Sequence, residues 1–136
     1  MEFTTKIAIV VADDLASWQK FNVVAFLTSG IIGQAENIMG EEYVDGSGQM
    51  YHPLCTQPMI ILKASRAKLP TFLARAERRD IKPAVYIEDM FSTGHDSANR
   101  ETVANYATAD LPLVGLAIRA DRKEVDKIFK GAKMHE

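Results

Sequence analysis

The 136-residue sequence predicts an α/β sandwich in which helices cover both faces of a mainly parallel four-stranded sheet. Three observations carry that prediction. Short runs of β-branched and aliphatic residues read as strands buried on both faces, and they alternate with segments of helical spacing. Two of the runs end in acid, at Asp13-Asp14 and at Glu88-Asp89. The resulting order, β-α-(hairpin)-β-α-β-loop/α-β-α, is the alternation that builds layered α/β folds.

Lys6 to Val11 forms the first strand, Leu15-Ala16-Ser17 turns the chain, and a helix runs from about Trp18 to Ile38. Trp18, Phe21, Ala25, Thr28, Ile32 and Ala35 fall close to helical spacing and are the expected buried face, while Val23, Val24, Phe26 and Leu27 make other sides apolar too. Gly30 and Gly33 weaken this helix by about 1 kcal/mol each relative to alanine, so a bend, a break or a close backbone neighbour is expected there. In Glu41 to His52 two strand-like triplets flank Asp45-Gly46-Ser47-Gly48, the pattern of an exposed hairpin. Pro53 and Pro58 bracket a loop with Cys55, and Met59 to Leu62 is the second apolar strand.

A helix beginning near Lys68 after Ser65 puts Leu69, Phe72, Leu73 and Ala76 on one face. Its other face is basic, with seven Lys or Arg against two acids between Lys63 and Lys82. Ala84 to Ile87 is the third strand, and Asp96 or Ser97 is the expected cap of a short helix reaching about Tyr106. Leu111-Pro112-Leu113 opens the last strand, which ends near Ile118. Asp121 and Glu124 then have capping-box spacing before a helix burying Val125, Ile128 and Phe129.

Composition bounds the function. A hydrophobic fraction of 47% and a charged fraction of 25% are ordinary for one globular domain, here residues 1–136, burying roughly two-thirds of its unfolded surface. A formal charge of −2 gives no field that gathers nucleic acid, and no DNA partner is expected. The single cysteine, Cys55, and an opening without the pattern of a secretory signal point to the cytoplasm. The longest apolar run, within Val23 to Ile32, is interrupted by Thr28-Ser29-Gly30 and too short to span a bilayer.

The two acidic strand ends meet at the carboxyl edge of the predicted sheet, where open α/β sheets bind ligands. Asp13, Asp14, Lys20 and Asn22 come from the first, and Glu88, Asp89, Ser92, Thr93 and His95 from the second. Asp89 could orient or deprotonate a water, Lys20 could stabilise developing negative charge, and His95 could transfer a proton. Against this, aspartates at strand ends commonly cap turns, a first-turn lysine is commonly solvated, and Gly-His-Asp is an ordinary surface turn. His52, Cys55, His95 and His135 lack metal-ligand spacing, Gly46 to Gly48 precedes no helix, and no metal or cofactor is expected.

The segments KIAIVVADDLASWQK, PMIILKASRAKLPTFLARAE, KPAVYIEDMFSTG and LPLVGLAIRADRKEVDKIFKGAKM resemble the successive segments of the archaeal and eukaryotic-type peptidyl-tRNA hydrolases. KFNVVAFL and YIEDMFSTGHDSANR are closer to a mainly bacterial family known as domain of unknown function 2000. The resemblance implies a mixed four-stranded sheet with one strand antiparallel, the type II peptidyl-tRNA hydrolase fold, and a homodimer. It also implies catalytic roles for Lys20, Asp89 and Thr93. The chain departs from the hydrolases at Gln19, where they have glycine, and at Val24 and Leu27, where they have glutamine and histidine. Phe91-Ser92 replaces a Gly-Arg pair, and losing that arginine weakens phosphate recognition.

Three functions compete on this reading. The first is hydrolysis of an ester or amide, on a small-molecule or tRNA-like substrate, at a Lys20, Asp89 and Thr93 pocket with Asp14, Asn22, Ser92 and His95 as binding groups. The second is a binding module that kept the fold and lost the chemistry. The third is a dimeric interaction protein working through the hairpin or an apolar helix face.

Overall fold

A computed structural model describes residues 3–136 of the chain. The strands are β1 (Thr5–Ala12), β2 (Tyr43–Val44), β3 (Met50–Tyr51), β4 (Met59–Ala64), β5 (Ala84–Ile87), β6 (Leu113–Asp121) and β7 (Lys133–Met134). The helices are α1 (Ser17–Gly33), α2 (Leu69–Arg78), α3 (Asp96–Ala104) and α4 (Arg122–Ile128). Five strands form one mixed sheet in the order β5-β6-β1-β4-β7, and β2 and β3 form a separate ribbon.

The sheet corrects the sequence reading in its strand count and agrees with the mixed directions that the resemblance implies. It has five strands rather than four, because β7 adds two residues to the edge of β4, too short a run to be legible as a strand. The long last strand β6 is antiparallel and inserts between β5 and β1, so β1 and β4 are the one parallel pair of neighbours in it. By direction, β1, β4 and β5 still agree, and their carboxyl ends share one edge.

β6 fixes the layering. A β-carbon at Gly115 would lie 2.5 Å from Val23 Cγ1 and 3.0 Å from Leu27 Cδ1, so this face of β6 meets α1 with no room for a side chain. The alternate residues Val114, Leu116 and Ile118 are also buried, and α2 and α4 both pack on β6 from that other side. There Leu69, Phe72, Leu73 and Ala76 of α2, as expected, meet Val125 and Ile128 of α4 and Phe129 just after it. The Phe72 and Phe129 rings stand edge to face at 5.5 Å.

α1 differs from its predicted face. Its buried residues are Val23, Leu27 and Ile31, spaced i, i+4, i+8, whereas Trp18, Phe21 and Phe26 are 58%, 73% and 60% exposed. A helix apolar on every side does not reveal which stripe is inward; the glycine opposite it decides. The helix also stops at Gly33, five residues early, because Ile38 and Gly40 leave it to pair with the backbone of Thr56 and Leu54. Gly30 faces the Ala84 side chain of β5.

The hairpin forms as expected and every residue from 41 to 52 is exposed. Asp45 organises its turn: the Ser47 and Gln49 amides and the Tyr51 hydroxyl donate to its carboxylate, and Gly48 supplies a φ of +86°. Those bonds hold Asp45 below the usual carboxylate range, the Gln49 amide contributing most.

At the amino end of β1, Gln57 is the one buried polar side chain among the described residues. Its amide donates to Thr5 O at 2.8 Å and to Thr5 Oγ1, and its oxygen accepts from Arg119 Nε at 3.0 Å. Asp121 caps α4 by accepting from the Lys123 amide, as predicted, but Glu124 pairs with Arg79 instead of closing a capping box.

Gly115→Ala is expected to cost about 1–3 kcal/mol, because the stiff, buried Val23 side chain has to shift to admit a β-carbon. Urea denaturation measures it, and a variant as stable as the parent would contradict so tight a seat.

Candidate functional site

The carboxyl edge gathers the polar strand ends, and much of that polarity is already paired. Arg66, in the turn before α2, donates through Nε to Asp14 at 2.9 Å and through Nη1 to Glu88 at 2.8 Å, tying the ends of β1, β4 and β5 together. Its pKa is raised, the Asp14 hydrogen bond being the largest cause. Asp89 receives the Tyr106 hydroxyl on both oxygens, at 3.1 and 2.9 Å, and that bond pushes the Tyr106 phenol up.

α1 divides what remains. Trp18 and Lys20 are two positions apart, about 200° around a helix, and so face opposite flanks. On Trp18's flank a cleft of 430 Å³ is walled by Trp18, Phe26, Tyr86 and Phe91, with Asn22, Thr93, His95 and Asn99 as polar groups. Trp18 meets Phe91 edge on at 5.8 Å, and Tyr86 packs against Phe91 at 5.2 Å. Burial pushes the Tyr86 phenol up. On the other flank Lys20 Nζ lies 3.2 Å from His135 Nε2.

Of the predicted residues, Asn22, Thr93 and His95 thus share one cleft. Thr93 Oγ1 hydrogen-bonds Met90 O and the Asn99 side chain, which fixes its rotamer. His95 rather than Asp96 or Ser97 caps α3, its Nδ1 accepting from the Ala98 amide and meeting Ser97 Oγ at 2.8 Å. With Nδ1 an acceptor, the neutral ring carries its proton on Nε2. Asp14 is in the Arg66 network, Asp89 is on Tyr106, Ser92 is exposed outside the cleft lining, and Lys20 is with His135. Among the described residues no hydrogen bond or ion pair joins Lys20, Asp89 and Thr93 to one another.

The aromatic walls were hidden in the sequence. Trp18 and Phe26 looked like core, and their only signal was an α1 with more apolar faces than one sheet can cover. The basic segment is mostly structural. Arg66 and Arg79 bridge acids, Lys63 pairs with Glu136, Lys68 donates to Gly131 O, and Arg75 donates to Ile128 O and Lys130 O.

Comparison with known proteins agrees with the fold and leaves the chemistry open. The family model described as protein of unknown function, DUF2000, matches residues 5–136. A solved structure of a protein of unknown function from Agrobacterium tumefaciens is 50% identical, with a TM-score of 0.97, and the match covers 99% of this chain and 100% of that one. No curated protein matches. Among the described residues no helix is long and apolar enough to cross a membrane.

Tyr106→Phe removes the partner of Asp89 and is expected to lower the urea midpoint at pH 7. The folded pKa of Tyr106 lies above its ordinary value of 10.0, so the contribution is complete below that pH and lost as pH rises through the folded value. The gap between parent and variant should therefore close in strong alkali. A gap that persists there would assign the loss to packing.

Proposed function

The chain belongs to the DUF2000 family, proteins of unknown function, and we propose that it is a binding module for a small ligand with a flat apolar body. The observation that carries this reading is the placement of the three residues: Thr93 lines the aromatic cleft, Lys20 lies with His135 in the opening on the other flank of α1, and Asp89, which accepts from Tyr106, lines neither. In this reading the cleft holds the ligand's ring against Trp18 and Phe91, while Asn22, His95 and Asn99 meet its polar edge. The sequence resembles the peptidyl-tRNA hydrolases, and a resemblance of fold carries no activity by itself. For Lys20, Asp89 and Thr93 to act on one bond, Lys20 has to leave His135 and reach the other flank of α1.

Trp18 is the single tryptophan, so its fluorescence reports the cleft directly. Adenosine and indole-3-acetamide, tested as probes, should quench or shift that emission saturably. Phe91→Ala should weaken binding at least tenfold, and Lys20→Ala should leave it unchanged. Release of the peptidyl group from peptidyl-tRNA by the parent, abolished in folded Lys20→Ala and Asp89→Asn, would replace this reading with hydrolysis.

A second reading, self-association, is favoured by the hairpin, where Tyr43, Val44, Met50 and Tyr51 are each more than half exposed. An arm of this kind gains stability when a second copy covers it. Sedimentation equilibrium should show a dimer that Val44→Ser with Met50→Ser converts to monomer. A monomeric parent at high micromolar concentration would remove this reading.

A further inference from the structure

α1 lies over β6, β1 and β5, and β4 at its margin is only partly buried from Ile60 to Lys63. The result is a groove of 570 Å³ on the Lys20 flank, with Phe21, Val24, Ala25 and Ile61 among its lining. Ile61 pairs with Ile9 and Lys63 with Val11, so the apolar floor of β1 continues into β4 and then meets a cation. This opening is independent of the aromatic cleft, because the two lie on opposite flanks of one helix.

The polar end of the groove is lined by Lys20, His135 and Glu136, and Lys63, just beyond the lining on β4, pairs with Glu136. His135 Nδ1 is 2.8 Å from Glu136 O, an oxygen that only accepts, so Nδ1 carries the proton and Nε2 accepts from the Lys20 ammonium. The Glu136 carboxylate pairs with Lys63. It is held below its ordinary pKa, by Lys63 first and by His135 and Lys20 more weakly. A carboxylate therefore already sits in the field of two lysines at the mouth of an apolar groove. Yet Glu136 is 82% exposed, so it takes the head-group position while contributing no apolar body to the groove.

We propose that this groove binds a single-chain alkyl carboxylate, its chain along Phe21, Val24, Ala25 and Ile61 and its carboxylate replacing that of Glu136 beside Lys63 and Lys20. The chain's own Glu136 then competes with the ligand for the same cations. Charge complementarity selects an anion, and the apolar floor selects an unbranched hydrocarbon over a flat ring.

Octanoate, decanoate and decanol, each below its aggregation or solubility limit, test the proposal by isothermal titration with the full chain. Each buried methylene contributes about 0.8 kcal/mol, so decanoate should bind on the order of tenfold tighter than octanoate. Decanol should bind at least tenfold weaker than decanoate. Lys63→Ala should weaken decanoate severalfold, and Glu136→Gln should tighten it by removing the competitor. Trp18→Ala should have no effect. Circular dichroism confirms that each variant is folded. Equal affinity for decanol and decanoate, indifference to Glu136→Gln, sensitivity to Trp18→Ala, or no binding by Glu136→Gln would each overturn the proposal.

Discussion

The seat of α1 on Gly115 is the constraint from which the working surfaces follow. One missing β-carbon in the middle of the central antiparallel strand lets Val23 and Leu27 reach the backbone of β6, and it fixes both the height and the rotation of a helix whose sequence is apolar on every side. A larger residue there would lift the helix or roll it, and either movement would change which aromatic rings face out. Packing in protein interiors is dense enough that such a displacement cannot be absorbed locally.

That single placement creates an opening on each flank. The rotation that buries Val23, Leu27 and Ile31 turns Trp18 and Phe26 toward the end of β5 and turns Lys20 and Phe21 toward β4. The same rotation works against a catalytic triad of Lys20, Asp89 and Thr93, because it points Lys20 away from the loop that carries the other two. Tyr106 and Arg66 then bond Asp89, Asp14 and Glu88, the acids that a polar pocket would have used. What the edge still offers is shape and aromatic surface, which suits binding.

The parts of the fold that depend on local pattern were legible in the sequence. The strand runs, the Asp45 to Gly48 turn, the four buried positions of α2 and the Asp121 cap all depend on residues within a few positions of each other. Strand order was not legible, since β6 pairs antiparallel with β1 through register contacts more than 100 residues apart. The face of α1 was not legible either, because its periodicity competes among several apolar stripes and the deciding residue lies in another strand. Of the candidate site, the sequence showed which polar residues the strand ends carry but not their partners. Asn22, Thr93 and His95 come together, whereas the partners of Lys20 and Asp89, His135 and Tyr106, are distant in sequence and carry no motif.

α1 separates two openings, so that Lys20 and Thr93 do not serve one ligand. Amide and side-chain chemical-shift mapping during titration with adenosine tests it most directly. Shifts are expected at the Trp18 indole, Asn22, Phe91, Thr93 and His95, with Lys20, Phe21 and His135 unmoved. Shifts at Lys20 and Asp89 together with Thr93, on the same binding curve, would contradict it and restore a single catalytic pocket.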